Sequence, residues 1–440
     1  MTSTQHASRG SSVTSPVPAG TRVIDPGRWP DVAAVHGSAA RGEVAKVLFR
    51  AAVSRLPVRV RLPGGRWLGG GAAGAPVMTV HNPSAFFTRL GSGGLIGFGE
   101  SYLAGDWDCS DLTGLLTVFA THVRDLVPGP LQRLRRMAVL RQPDADVQTR
   151  DGARRNISHH YDLSNEFFAL FLDQTMTYSS ALFDPTEPND GGSTGNAIGV
   201  PPARLLAQAQ HRKIDRLLDE AEVGPGRRLL EIGTGWGELA IRAAQRGATV
   251  RTVTLSARQR ELALRRVAAA GLADRVSVEL RDYREVDGEY DAICSVEMIE
   301  AVGERYWDTY FAQLDRLLAP GGKVGLQSIT MPHDAMMASR RTYTWIQKYI
   351  FPGGLIPSVT AIEDSLARRT GLRVTQRLDF GADYAQTLRI WRDRFLAAKG
   401  DVAALGFDEV FSRMWLFYLC YAEAGFRAGY LGVSQLTLER

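Results

Sequence analysis

From residue 203 to residue 330, apolar runs of strand length alternate with amphipathic runs of helix length, and this alternation narrows the fold more than any other feature of the chain. RLLAQAQHRKIDRLLDEA reads as a helix, RRLLEIG as a strand, and WGELAIRAAQRG as a helix stopped by Gly247. ATVRTVTL is a strand, and SARQRELALRRVAAAG a helix whose first turn Ser256 can cap, because its hydroxyl can accept from a free backbone N–H there. RVSVEL and YDAICSV are strands, ERYWDTYFAQLDRLL is a helix, and KVGLQSIT is a strand after the turn APGG. Strands separated by helices are joined by crossovers rather than hairpins, so they form a mostly parallel sheet with helices on both faces. The remainder supplies a strand at LRVTQRLDF, helices over 384–400 and 408–428, and a closing strand at QLTL.

The first of these strands runs into EIGTGWGELA, a glycine-rich turn that opens a helix. Glycine permits positive φ and lets the backbone approach a ligand closely. The spacing is G-x-G-x-G, not the G-x-G-x-x-G of dinucleotide enzymes, and Glu231 precedes it. Together these favour S-adenosylmethionine (SAM), with Gly233, Thr234, Gly235 and Gly237 beside its amino-acid end; the bland alternative is a plain tight turn. The second strand ends in Thr254 and Leu255, followed by Gln259, where many nucleotide sites place a carboxylate for the ribose. Asp282 and Tyr283, after the third strand, are expected to border the adenine. The fold class is therefore α/β: a class I SAM-dependent methyltransferase, Rossmann-like, with a mostly parallel seven-stranded sheet and a small N-terminal α+β domain.

Upstream, residues 1–20 lack the apolar core of a signal peptide and read as a disordered tail. Residues 21–123 form the small α+β unit. It has an amphipathic helix from residue 42, a hairpin at PVRVRLPGGRWLG turning on PGG, and a strand at VMTVHN. A helix at PSAFFTRLGSGG ends on glycine, and an apolar helix follows at DLTGLLTVFATHV. Residues 124–155 mix Pro, Gly and Arg pairs and read as a basic linker with one helix inside, either a solvated connector or a contact for anionic headgroups. Residues 186–202 have loop composition. No run approaches the ~20 apolar residues a membrane span requires. Three cysteines, Cys109, Cys294 and Cys420, form neither a disulfide framework nor a metal cluster, so a reducing cytoplasm is expected. The net charge of +5 is mild for 440 residues, and no basic stripe interleaved with aromatics points to nucleic acid.

A bare SAM fold does not need NISHHYDLSNEFFALFLDQTMTYSSALF, residues 156–183. That stretch resembles the cyclopropane-fatty-acyl-phospholipid synthases and the mycolic acid methyltransferases. AQHRKIDRLL, TLSARQ, IEAVGERYW, KYIFPGG, DYAQTLRIW and EAGFRAG extend the resemblance over roughly 156–440. NPSAFFTRLGSGGLIGFGESYLAGDWDC is similar to the N-terminal domain of the phospholipid-acting members. The resemblance implies an enzyme acting on phospholipid acyl chains at the inner face of the cytoplasmic membrane. It places Tyr178 and Ser179 beside SAM. It also implies a bicarbonate ion as base, held by Ser180, Glu300, Gln327 with Ile329, and Tyr384. Two positions depart from the family, with Ser180 where it has cysteine and Gln327 where it has histidine. A family thiol is also replaced, by Ala422.

In such a reaction an alkene attacks the sulfonium methyl, leaving a carbocation on the acyl chain; water must be excluded and one proton removed. Tyr343, Trp345, Tyr349, Phe351, Phe167 and Phe168 could offer ring faces to the cation or simply fill the core. Glu300 is expected to anchor the base site, so that Glu300→Gln abolishes turnover while SAM still binds. For Glu297, loop stabilisation and a part in catalysis both stay open. Direct proton loss closes a cyclopropane; a hydride shift first gives an exocyclic methylene. The resemblance to actinobacterial relatives with Gln after the fifth strand implies the methylene product, and reduction to a methyl branch would need a separate reductase. A non-catalytic lipid- or SAM-binding protein, a small-molecule methyltransferase and a homo-oligomer stay open.

Overall fold

The computed structural model describes residues 24–123, 163–185 and 202–440. The expected tail, the basic linker and the loop over 186–201 lie outside the described residues.

The N-terminal unit opens with α1 (Pro30–Ala33) and α2 (Ala39–Val53), the latter capped by Ser38. A four-stranded sheet follows, built from β1 (Arg59–Arg61), β2 (Trp67–Leu68), β3 (Val77–Val80) and β4 (Trp107–Cys109) in the order β2-β1-β3-β4. β1 and β2 are antiparallel across the PGG turn, as expected. α3 spans Pro83 to Leu103 as two helical segments across a kink at Gly94 (φ 56°, ψ −127°), so the first segment ends on glycine, as expected. The neighbouring glycines let backbones meet at this break. A Cβ at Gly91 would lie 2.4 Å from the Arg41 carbonyl oxygen on α2, and one at Gly97 would lie 1.9 Å from that of Arg89 in the first segment. α4 (Leu112–Thr121) completes the unit.

After a short α5 (Asn165–Ala169), α6 (Pro202–Glu220) leads into the large sheet. Its strands are β5 (Arg228–Ile232), β6 (Thr249–Thr254), β7 (Val276–Leu280), β8 (Tyr290–Val296), β9 (Leu318–Thr330), β10 (Arg373–Asp379) and β11 (Gly432–Glu439). The order is β10-β11-β9-β8-β5-β6-β7. β11 is antiparallel to both neighbours and every other pairing is parallel. This is the expected seven-stranded, mostly parallel sheet. APGG does not interrupt β9, but lies at a register shift between its pairings with Tyr290 and Ala292. Crossovers are made by α7 (Glu238–Gln245), α8 (Ala257–Ala269) and α9 (Trp307–Leu317). α10 (His333–Ser339), α11 (Trp345–Tyr349), α12 (Val359–Arg369), α13 (Gly381–Ala397), α14 (Lys399–Ala404) and α15 (Glu409–Arg427) follow.

One apolar core joins the N-terminal unit to the C-terminal helices. Phe98 packs with both Trp107 and Phe417 of α15, and Trp345 stands against both Phe417 and Gly99. Buried Arg413 crosses the same boundary, donating to the carbonyls of Tyr102 and Trp107 and pairing with Asp108. A guanidinium has five donors, so it can satisfy several buried carbonyls that would otherwise lack partners.

Candidate active site

Chain reversal between β5 and its neighbours β6 and β8 opens a crevice at the carboxyl ends of these strands, where open α/β sheets bind ligands. The cleft there is lined by Tyr178, Ser179, Gly233, Thr234, Gly235, Thr254, Leu255, Gln259 and Tyr283, as the sequence suggested, and also by Lys213, Glu231 and Glu297. Two expected residues stand behind that wall. Gly237 (φ 90°) starts α7 against Ala263. Asp282 caps the following turn by accepting from Arg284 N–H, and its buried carboxylate pairs with the Arg284 guanidinium.

The glycine loop fits the amino-acid end of SAM. Gly233 (φ 99°) and Gly235 (φ 50°) hold conformations costly for other residues. Thr234 is tied to Thr252 at 2.7 Å, and Trp236 donates to Asn165 at 2.8 Å. Beneath the loop, Glu231 is buried, one carboxylate oxygen has no partner, and burial pushes its pKa up to about 8. An orphaned carboxylate oxygen beside glycines suits a ligand carrying an ammonium group. Opposite, Thr254 donates to Gln259 at 3.0 Å, leaving an uncharged edge where other nucleotide sites hold a carboxylate.

The carboxylates after β8 are arranged otherwise than expected. Ser180, Gln327 and Tyr384 do converge, but on Glu297 and not on Glu300. Ser180 N–H and Gln327 Nε2 each donate to Glu297 Oε1 at 2.9 Å, and the Tyr384 hydroxyl donates to Oε2 at 2.9 Å. Glu297 has φ 48°, and its own N–H donates to the Gln327 carbonyl at 2.8 Å. That left-handed turn directs its side chain across the end of the sheet. Glu300 falls in the next turn and accepts from Ser328 Oγ (2.9 Å) and Ile329 N–H (2.5 Å). The Ser180 hydroxyl does not reach either carboxylate; it donates to the Ala181 carbonyl at 3.0 Å.

Surroundings separate the two acids. Burial, and then the neighbouring Glu297 charge, push Glu300 up to about 8, and its second oxygen has no partner. Burial also raises Glu297, but Lys213, the Ser180 N–H, Gln327 and Tyr384 all pull it down. Glu300 therefore holds its proton at neutral pH, and of the pair Glu297 is the one whose ionised form is favoured by its neighbours. The donors expected to hold bicarbonate already donate to Glu297, so the residues present do not fit that ion.

Sequence reading missed three residues around this centre. Lys213 is fully buried, donates to Ser179 Oγ at 2.7 Å, and is pulled down to about 8 by burial. Gln210 donates to the Ser179 carbonyl. Gln435 donates to Gln327 Oε1 at 3.0 Å while accepting from Arg216 at 2.7 Å, which turns the Gln327 amide nitrogen toward Glu297. A signal for two of them existed: Gln210 and Lys213 sit on the buried stripe of α6 with Leu206 and Leu217. Of the rings named as cation candidates, Phe167, Phe168 and Trp345 are core, Tyr343 and Phe351 pack partly buried against the same core, and Tyr349 donates to Glu100. The aromatic ring that lines the cleft beside Ser179 is Tyr178, 5.3 Å from Trp391, while Tyr384 packs 4.6 Å from Phe426.

Residues 148–436 match the family model described as mycolic acid cyclopropane synthetase. The chain is 53% identical to tuberculostearic acid methyltransferase UfaA1 of Mycobacterium tuberculosis over 420 residues, covering 95% of this chain and 96% of that one. It is 34% identical to the cyclopropane-fatty-acyl-phospholipid synthase of Escherichia coli, over 82% of this chain and 87% of the relative. Among solved structures it is similar to the mycolic acid cyclopropane synthase CmaA1 complexed with SAH and CTAB. There the identity is 31% and the TM-score 0.57, over 68% of this chain and 99% of that one.

Proposed function

The chain belongs to the mycolic acid cyclopropane synthetase family, and from that premise we propose that it methylates the double bond of an oleoyl-type acyl chain in phospholipid, giving a methylene-branched chain. It is a SAM-dependent methyltransferase of fatty acyl chains. SAM supplies an electrophilic methyl; the protein must orient it, exclude water and accept one proton. The observation that carries this reading is the single cleft in which the glycine loop and a buried carboxylate held by three donors face one another. Tyr178, backed by Trp391, gives the cleft an aromatic wall that would offer a cation on the chain a π face rather than water. Ring closure to a cyclopropane is the second reading, favoured by the 34% identical synthase. The higher identity to the tuberculostearic acid methyltransferase supports the branched product.

Substrate would be met at the membrane surface. No helix among the described residues is long and apolar enough to cross a membrane. Val44 and Val47 on α2 and Leu95 on α3 are exposed, which supports the N-terminal unit as the lipid-facing part and a peripheral position at the inner face. A methyl branch would then require a separate reductase.

The test is incubation with SAM and liposomes of oleoyl phospholipid, followed by mass spectrometry of the released chains. A gain of one CH₂ is expected, and fragmentation separates methylene from ring. SAM binding without any mass gain would refute the reading.

A further inference from the structure

We propose that Glu297 is the proton acceptor of this reaction, its carboxylate filling the seat expected for bicarbonate, so that the chain carries its base as a side chain. The proposal rests on the alkene-methylation reading above. Its basis is geometric. The three donors that converge at the end of β8 and β9 all donate to one carboxylate, and that carboxylate lines the cleft together with the glycine loop. The Ser180 hydroxyl, which might have held an external anion, donates to a carbonyl instead. Glu300 is not among the cleft-lining residues, and its hydrogen bonds run to the far side, to Ser328 and Ile329.

Two features show that Glu297 is held in place rather than accommodated. Its φ of 48° is a conformation that a non-glycine residue adopts at a cost, and it persists because both its N–H and its carboxylate are bound by Gln327. The Gln327 amide is in turn fixed by Gln435, and Gln435 by Arg216. The groups facing the carboxylate are Lys213 from α6, Tyr384 from α13, and Glu300 from its own loop. The buried ammonium and the three donors favour the ionised form of Glu297 against its burial.

In the step itself, a hydride first shifts from the methyl-bearing acyl carbon to the adjacent cationic carbon, which moves the cation to the carbon that carries the methyl. A C–H bond of the transferred methyl then breaks, its electron pair becomes the new C=C bond to that carbon and quenches the cation, and the proton goes to a Glu297 carboxylate oxygen and then to water after product leaves. If the electron pair closes a ring instead, the proton follows the same course, so the assignment does not depend on the product.

The test compares wild type, Glu297→Gln and Glu297→Gly in the liposome assay, in CO₂-depleted buffer and with added bicarbonate. SAH affinity by calorimetry reports folding. Glu297→Gly should fold, since glycine removes the positive-φ cost. Wild type should keep its rate without bicarbonate, and Glu297→Gln should lose at least ~100-fold with SAH affinity unchanged. Glu297→Gly should regain at least ~10-fold on adding bicarbonate and broaden the NMR signal of isotope-labelled bicarbonate, which wild type should not do. A wild-type rate that collapses without bicarbonate and returns with it would overturn the proposal. So would a Glu297→Gln enzyme at wild-type rate, with the methylation reading left standing. A wild type with no mass gain under any condition would remove both.

Discussion

Replacing Tyr384 by phenylalanine deletes one of three donors from a carboxylate inside the protein while keeping the ring that packs on Phe426 and Trp391. A hydrogen bond to a charged group contributes about 1.5–3 kcal/mol, and one pKa unit corresponds to about 1.4 kcal/mol, so Tyr384→Phe should raise Glu297 by about one to two units. Burial already holds this carboxyl above the ordinary range, against the pull of Lys213, Ser180 N–H, Gln327 and Tyr384. As a base Glu297 must be ionised, so the acid limb of kcat/KM against pH should move upward by that amount. Lys213, pulled down to about 8, titrates on the alkaline side, so the variant's window narrows from the acid side. Stability carries a matching signature. A carboxyl whose folded pKa lies above its unfolded value imposes no ionisation penalty below the unfolded pKa and a growing one as pH rises toward the folded pKa. Tyr384→Phe extends that range upward, so its added deficit in Tm should widen above the wild-type Glu297 pKa and shrink in acid. The assay is the pH profile on oleoyl liposomes, with thermal unfolding at matched pH. A plateau lowered equally at all pH, with the acid limb unmoved, would refute the coupling between Tyr384 and Glu297.

Glu300→Gln replaces a protonated acid by a neutral amide whose oxygen can still accept from Ser328 and Ile329. Turnover should stay within about fivefold and the acid limb should stay in place, because Glu300 is already neutral while Glu297 titrates; the liposome assay across pH decides. Gly233→Ala puts a Cβ 3.6 Å from Met298 but forces φ 99° on alanine. A backbone cost of ~1–2 kcal/mol should weaken SAH binding about tenfold or, if the loop relaxes, displace the cofactor and lower kcat; calorimetry beside steady-state rates separates the two.

The sheet was legible because period and punctuation agree over a long stretch. Strand runs such as RLLEI and YDAICSV carry consecutive apolar residues, Leu229 with Leu230 and Ala292 with Ile293, as strands buried on both faces do, and Ser256 and Gly247 mark helix ends. The glycine loop was legible for the same reason: its residue types have a backbone requirement that few other residues meet. GSGG was legible in the same way, since its last glycine, Gly94, takes the positive φ that ends the first segment of α3. Composition did not reveal the second duty of Gly91, whose missing side chain lets α3 approach the Arg41 carbonyl of α2.

The exchange between Glu297 and Glu300 shows the limit more sharply. Three positions separate them, and nothing in SVEMIEAVGERY says which side chain turns back over the sheet. That is set by one dihedral. At an ordinary φ the Glu297 carboxylate would not be directed at the donors of β9 and α13, and those donors, buried beside Lys213, would lack a partner. Leaving buried donors unpaired costs about 1–3 kcal/mol each, comparable to or more than the strain of one left-handed residue. The strained conformation is thus the cheaper one only because Ser180, Gln327 and Tyr384 converge there. These are the positions at which the chain departs from, or keeps, its family's pattern. A cysteine and a histidine suited to an outside anion are replaced by a serine that contributes its backbone and by an amide that a second amide orients. The substitutions that seemed at the level of sequence to weaken a bicarbonate site are those that let a glutamate take its place.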